Sequence, residues 1–501
     1  MTLSKVLLAG SAAVASEHPL ASLAGYDVLR GGGNAFDAAV ATSFTLAVTS
    51  HHIGGLGGDF FAMLYEARTG KVHCLNSSGW APSGLTLDLI ASKGGSIPTY
   101  GPLSCVIPGQ TAGVCEAHRK FGSVEFSKLL APAAGYAAKG FPASEGLSRS
   151  LSLAWEQFSP EARSAFSRDG TPPAPGAWIR QEALARTIGE IAQGGAAAFY
   201  LGEPAHEIQE TLQRLGVPCA ASDFRDFAPE WVRPLSLDYK GNTVFETPPN
   251  SMGATSLLML KILSGRDLAN DGPLSGARVA ATMDAAQTAY DRKDRYLGDP
   301  RFEKVDLEAF MDISPAPSTY SGRVADGDTT AFSIADSEGN VVSAIQSLFH
   351  HFGSRVFVPG CGVMLNDRAA GFRTEGPNRV EPRKRPLHTL SSLIIETKGG
   401  GRIGIGTSGG DYRPLQHALF VTNLVDYRMR LEHAVDHPRF LWSEGRELLV
   451  EEGYETPPGT GYDVKMQPMP GHTGVCHAVE TGDRLRKAVC DVRGDGAPAG
   501  F

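Results

Sequence analysis

No stretch of this 501-residue chain carries the roughly 20 consecutive apolar residues needed to span a bilayer. An excess of positive charge is missing too: 46 Lys and Arg against 54 Asp and Glu leave a net charge of −8. That removes the electrostatic ground for expecting nucleic acid or an anionic membrane surface as a partner. The seven cysteines (Cys74, Cys105, Cys115, Cys219, Cys361, Cys476 and Cys490) include no CxxC pair and no metal-ligand spacing. An odd, scattered set reads as reduced thiols, so a cytoplasmic location is expected. Repeats with a 20–50-residue period and low-complexity linkers are also lacking. The apolar fraction, 42%, and the charged fraction, 20%, are those of an ordinary globular chain. Glycine is the residue in surplus, with 59 copies gathered in clusters. Such clusters mark places where backbone comes close to backbone or to a ligand.

The amino-terminal MTLSKVLLAGSAAVAS has two readings. One lysine, a short apolar stretch and a small-residue site resemble a weak secretory signal, which would imply a periplasmic protein. A first strand, VLLAGSAAVAS, leading into a helix is preferred, because the apolar part is short. Two helices are expected around Gly31-Gly32-Gly33-Asn34, with Asn34 capping the second. That second helix, AFDAAVATSFTLAVT, is small and apolar nearly all round, as a buried helix would be. From about 120 to 215 the three- and four-residue spacing is helical. A turn at TPPNSMG (247–253) precedes another helix. After Asp328, AFSIAD and VVSAIQSLF alternate as two strands about a turn at 337–340. A second apparent hairpin, in HTLSSLIIETKGGGRIGIGTSGG, leads to a helix, RPLQHALFVTNLVDYRM. Helices therefore dominate the first two-thirds and sheets begin the last third. Two stacked antiparallel sheets flanked by helices are expected.

One competing motif lies in this region. Gly404-Ile405-Gly406-Thr407-Ser408-Gly409 is a literal GxGxxG between a strand and a helix, with Asp426 downstream. It imitates a dinucleotide fingerprint. Asp426 sits inside the continuing helical pattern, however, where the end of a second strand should be.

The chemistry is concentrated between Asp328 and Phe372: Thr329-Thr330 opens a strand, followed by Asp336, Gly339-Asn340, Phe352-Gly353 and Gly360-x-Gly362. HPLASLAGYDVLRGGGNAFDAAVA, GGLGGDFF, TPPNSMGATSLLMLKIL, AYDRKDRYLGDP, GTSGGD and HPRF accompany it along nearly the whole chain. In this order the motifs resemble the γ-glutamyltranspeptidase family. The resemblance implies an α/β (α+β) fold, the four-layer αββα sandwich of N-terminal nucleophile hydrolases. It also implies a precursor that cuts itself between Asp328 and Thr329, giving a large chain, 1–328, and a small catalytic chain, 329–501, that form one body. The physical logic agrees. A threonine hydroxyl is a poor nucleophile until a base takes its proton. Scission frees an α-amine with a pKa of about 7.7–8.0 on the same residue, and that amine is a suitable base near neutral pH. Gly409 and Gly410 match the family's oxyanion-hole glycines, and Ser347 takes the place of the hydroxyl residue that orients the nucleophile's amine. Without the resemblance, Thr329-Thr330 would read as a polar strand start and Ser347 as a serine on a strand's polar face.

Five positions depart from the family. Ser78 replaces the carboxylate-binding arginine, Gly371 the amine-binding aspartate and Arg368 a glutamine; His388-Thr389 replaces a double serine, and Phe349 an asparagine. An ammonium beside Arg368 would be repelled, whereas a carboxylate or another acceptor-rich acyl group could be gripped in forked geometry. Arg368, His388 and Thr389 are thus the candidate substrate-binding residues, against the plainer readings of an ion pair and a packed histidine. The pattern is closer to the family's acylase and oxamate-amidohydrolase-like branch than to its glutathione enzymes. The resulting expectation is a cofactor-free and metal-free hydrolase of small acyl amides, with two subunits from one precursor, a dimer of such pairs remaining open. Two rivals stand beside it: a γ-glutamyl hydrolase or transpeptidase acting on glutathione-like donors, and an unprocessed, catalytically silent binding protein.

Overall fold

The segment expected to be one amino-terminal strand is two, β1 (Lys5–Ala9) and β2 (Ala13–Ser16). They belong to different sheets, so the chain crosses from one layer to the other at the intervening turn. The computed structural model describes residue 3 and residues 5–314, 328–442, 447–455 and 462–501. Helices α1 (Pro19–Arg30) and α2 (Ala35–Thr49) follow as the sequence predicts. Asn34 caps α2 by accepting from the amides of Phe36 and Asp37, both at 2.9 Å. Every residue of α2 is buried.

The remaining sheet strands are β3 (Asp59–Glu66), β4 (Lys71–Ser77), β5 (Glu230–Val232), β6 (Leu235–Tyr239) and β7 (Asn242–Glu246), then β8 (Asp328–Ala335) and β9 (Val341–Phe349). After them come β10 (Leu393–Glu396), β11 (Arg402–Thr407), β12 (Cys476–Thr481), β13 (Arg486–Cys490) and β14 (Ala497–Gly500). One seven-stranded sheet has the order β1-β13-β12-β11-β10-β7-β6 and the other β14-β2-β8-β9-β3-β4-β5. Half of these strands precede Asp328, which corrects the expectation that sheets begin only in the last third. The strand β3, DFFAMLYE, is buried on both faces and so lacks the two-residue alternation that betrays a strand.

Helices α1, α2, α3 (Gln110–Phe121), α4 (Phe126–Lys139) and α5 (Glu182–Tyr200) cover the outer face of the second sheet, where Phe332 and Ile334 meet them. Helices α6 (Gly253–Ser264), α7 (Gly276–Tyr296) and α8 (Arg413–Val425) cover the first, against Leu393, Ile395, Ile403 and Ile405. Between the sheets lie Phe61, Ala331, Ile345 and Leu390. Two hydroxyls tie the layers: Ser333 donates to the carbonyl of His477 at 2.9 Å and Ser343 to that of Ile405 at 2.8 Å. The result is the expected αββα sandwich. The GxGxxG imitation dissolves here, since β11 is antiparallel to both its neighbours and Asp426 ends a helix, paired with Lys240 and Tyr239.

Candidate functional site

The hairpin β8–β9 runs in register from Ala335 opposite Val341 to Thr330 opposite Gln346, and then slips. Asp328 pairs with Phe349, so Ser347 and Leu348 together face Thr329. The extra residue is a bulge, and Phe349 takes a positive φ of 90° within it. Thr329 is 1% exposed, and its hydroxyl donates to Ser347 Oγ at 3.3 Å. Ser347 Oγ also accepts from the Phe349 amide at 2.8 Å. On the far side of β9, Asp59 of β3 stands opposite Ser347. Alternation along the strands turns Thr329, Ser347 and Asp59 to the face between the sheets, in a row across three neighbouring strands. Strand spacing puts the Cα of Asp59 about 10 Å from that of Thr329.

The second sheet-forming wall is β11. A methyl group on Gly404 would meet Val341 at 2.9 Å, and one on Gly406 would meet Ala331 at 2.8 Å. The end of β11 therefore advances along β8 toward Thr329. Beyond it, Gly409 and Gly410 have φ of 129° and 53°, which a residue with a side chain adopts only under strain. Their amides donate to no acceptor among the described residues. The turn is anchored from behind: Val475 N donates to Ser408 Oγ at 2.9 Å, and Thr407 Oγ1 lies 3.0 Å from His417 Nε2. His417 Nδ1 is 2.6 Å from Glu246, whose other oxygen accepts from Ser391.

The candidate substrate-binding residues close over the Asp59 end of the row. Arg368 donates from Nε to Asp59 at 3.2 Å and from Nη1 to Thr389 Oγ1 at 3.1 Å, and its guanidinium lies 4.2 Å from the Phe349 ring centre. His388 Nδ1 accepts from the Leu390 amide at 3.3 Å, which leaves the proton on Nε2, 2.9 Å from Asp59 Oδ2. Gly79 N also donates to Asp59. Burial favours a protonated Asp59, but His388, Arg368 and the Gly79 amide outweigh it and hold the carboxyl below its usual range. Burial first, and then Arg368, pull His388 down to about 4, so the ring is neutral at pH 7.

This depressed value has a measurable consequence. Below pH 6.5 an unfolded chain takes up a proton that the folded His388 refuses, so stability falls as the pH drops from 6.5 to about 4. The loss is about 3 kcal/mol. His18, His51 and His437 are held down to about 4 in the same way, so unfolding titrations across this window should show a loss in His388→Asn that is about 3 kcal/mol smaller than in the wild type.

The structure brings Arg368, His388 and Thr389 together beside Asp59, with Arg368 in a buried ion pair. Gly371 lies in a short 3-10 turn, Arg368–Gly371, where its carbonyl accepts from Asn378 at 2.7 Å. Ser78 is engaged with Asn76 and Asn250, at 2.8 and 3.2 Å. Asp59 escapes sequence reasoning, although it lies within the motif GGLGGDFF; a carboxylate opening a fully buried strand is the available signal. Arg413, a cation at the head of an apolar helix, escapes it likewise. Two surface cavities, of about 870 and 590 Å³, are lined by none of these residues.

The chain matches the family model for γ-glutamyltranspeptidase over residues 21–501. It is 33% identical to the glutathione hydrolase-like YwrD proenzyme of Bacillus subtilis, over 97% of this chain and 98% of that one. It is 30% identical to the oxamate amidohydrolase proenzyme of Klebsiella pneumoniae, over 97% of each. The crystal structure of cephalosporin acylase from Bacillus halodurans superposes with a TM-score of 0.92 at 29% identity, covering 99% of this chain and 97% of that one.

Proposed function

This chain belongs to the γ-glutamyltranspeptidase family and is an amide hydrolase of the N-terminal-nucleophile kind, and we propose that it matures by cutting itself between Asp328 and Thr329 and then hydrolyses small acyl amides through an ester on Thr329. The observation that carries this reading is the bulge that holds the Thr329 hydroxyl 3.3 Å from Ser347 at the mouth of β8. Residues 315–327, just before the proposed cut, lie outside the described residues.

After scission the Thr329 amine takes the proton of its own hydroxyl, directly or through one water, as Oγ1 attacks the amide carbon. Ser347 keeps that amine aligned. The carbonyl oxygen becomes an oxyanion held by the amides of Gly409 and Gly410, which have no other acceptor among the described residues. Collapse breaks the C–N bond, and the leaving amine departs with the proton held by the Thr329 amine. Water, deprotonated by the same amine, then attacks the ester and releases the acid. Before the cut the Thr329 nitrogen is an amide and cannot do any of this. The proenzyme names of the Bacillus subtilis and Klebsiella pneumoniae relatives are in keeping with such a precursor. A cytoplasmic location, expected from the scattered cysteines, belongs to the same proposal.

Hydrolysis of acyl amides is preferred over γ-glutamyl transfer because the ammonium site is gone. Gly371 offers no carboxylate, and Asp59 is already engaged by Arg368 and His388. A panel of oxamate, glutaryl, aromatic acyl and γ-glutamyl amides tests this. The γ-glutamyl anilide should be turned over at least about 10-fold more slowly than the best acyl amide, the cost of one lost charged hydrogen bond. Comparable rates would favour a γ-glutamyl hydrolase instead.

A further inference from the structure

Trp178 is 61% exposed, yet its ring is held in one pose. Its Nε1 donates to the carbonyl of Lys139, the last residue of α4, at 2.8 Å. Its backbone pairs with Pro142 in a short two-stranded ribbon. Gly140 takes a φ of 94°, and a methyl group there would meet the indole at 2.2 Å, so only glycine leaves room for the ring. Arg180 is pinned to the same point, since its Nε donates to the same carbonyl at 3.2 Å. An indole face left in water contributes no burial energy to the fold. Fixed beforehand, it offers a ligand a flat apolar surface at little entropic cost.

Trp178 and Arg180 line the cavity of about 870 Å³, a volume suited to a small molecule. Arg168, Glu161 and Glu182 line it as well. None of these four charged side chains is in an ion pair among the described residues, and the two cations balance the two anions. The walls thus offer N–H donors and carboxylate acceptors together, with no net charge to select an ion.

The floor adds one more acceptor. Phe166, Gln181, Leu184 and Gly362 also line an inner lobe of about 10 Å³, room for one oxygen atom, and His51 closes it. His51 is 4% exposed and stacked on Phe166, with ring centres 4.7 Å apart. Its Nδ1 is 2.9 Å from the carbonyl of Val48, which can only accept, so the proton is on Nδ1 and Nε2 carries a lone pair. Nε2 has no partner among the described residues. Burial holds His51 down to about 4, so the ring is neutral at pH 7. A buried acceptor of this kind calls for a donor. No carboxylate lines the lobe to receive an ammonium, and an anion would face the lone pair. A hydroxyl fits.

One ligand chemistry meets all three features. Hydroxyls both donate and accept, as a balanced rim of arginine and glutamate requires. The C–H face of a sugar ring presents positive edges to the negative face of an indole. We propose that this cavity, apart from the Thr329 site, binds a neutral sugar, with its ring on Trp178, its hydroxyls shared by the arginines and glutamates, and one hydroxyl, directly or through a water, on His51 Nε2. The site stands whether or not Thr329 is the nucleophile.

The test uses the full protein as purified. Glucose, galactose, mannose and N-acetylglucosamine are titrated by calorimetry and by tryptophan fluorescence, with glycerol, benzoate and phenethylamine as controls. At least one sugar should bind with a Kd on the order of 1 mM or tighter and shift the fluorescence, while the controls do neither. Trp178→Ala, a change at an exposed ring, should weaken that sugar by about 10-fold or more and leave amide hydrolysis unchanged. Glu182→Gln, which keeps an acceptor and removes the charge, should weaken it by about 3–10-fold. Absence of binding by all four sugars at about 100 mM would overturn the proposal. So would undiminished binding in Trp178→Ala, which would put the sugar elsewhere. Benzoate or phenethylamine binding more tightly than any sugar would show that the rim selects an ion, and would overturn the ligand class.

Discussion

Thr329→Ala leaves the protein as one unbroken chain and lowers amide hydrolysis by about 10⁴-fold or more, the scale seen when a catalytic nucleophile and its base are lost together. Both losses come from one substitution. In the proposed mechanism the side chain supplies the attacking oxygen, and attack by that oxygen on its own preceding peptide bond frees the amine. Thr329→Ser keeps the oxygen and should keep both maturation and a measurable share of turnover. Electrophoresis reads the first effect and steady-state rates on the best amide of the panel read the second. Full activity in Thr329→Ala would place the reaction elsewhere on the protein.

Asp59→Ala should be the most damaging change to stability at the site, costing about 3–5 kcal/mol, as expected when one partner of a buried ion pair is removed. Asp59 is 0% exposed and serves three groups: Arg368 at 3.2 Å, His388 at 2.9 Å and the Gly79 amide. Its removal strands the Arg368 charge over Phe349 with only Thr389 to hold it. The double variant Asp59→Ala/Arg368→Met, with no charge left over, should regain much of the loss. Chemical denaturation of the four species of the cycle measures the coupling directly. A cost below about 1 kcal/mol for Asp59→Ala, the level of exposed pairs, would show that the pair is solvated rather than buried.

These two residues differ in how visible they are in the sequence. Thr329 announces itself through its surroundings, because the turn Ser337–Asn340 and the glycine-rich segments around it have local signatures that survive without any fold. Gly409 and Gly410 are legible for the same reason: the positive φ each adopts is demanded by a turn a few residues long. Asp59 has no such signature. Its partners Arg368 and His388 are more than 300 positions away, and only the stacking of β3 beside β9 brings them together. Arg413 reads as an ordinary helix-opening cation until Thr389 and Thr407 are seen to close around it. The layered architecture is foreseeable from the hairpins after Asp328, whereas β3, apolar on both faces, is not. The bulge that slips Ser347 and Leu348 against Thr329 is a matter of register, which alternation alone does not specify.

The central claim is that breaking one peptide bond creates the base that activates the hydroxyl on the same residue. Intact-mass analysis of the active, purified protein tests it most directly. Two polypeptides should appear, the smaller beginning with a free amine at Thr329 and the larger ending at Asp328. A single polypeptide of all 501 residues that hydrolyses amides at the full rate would contradict it.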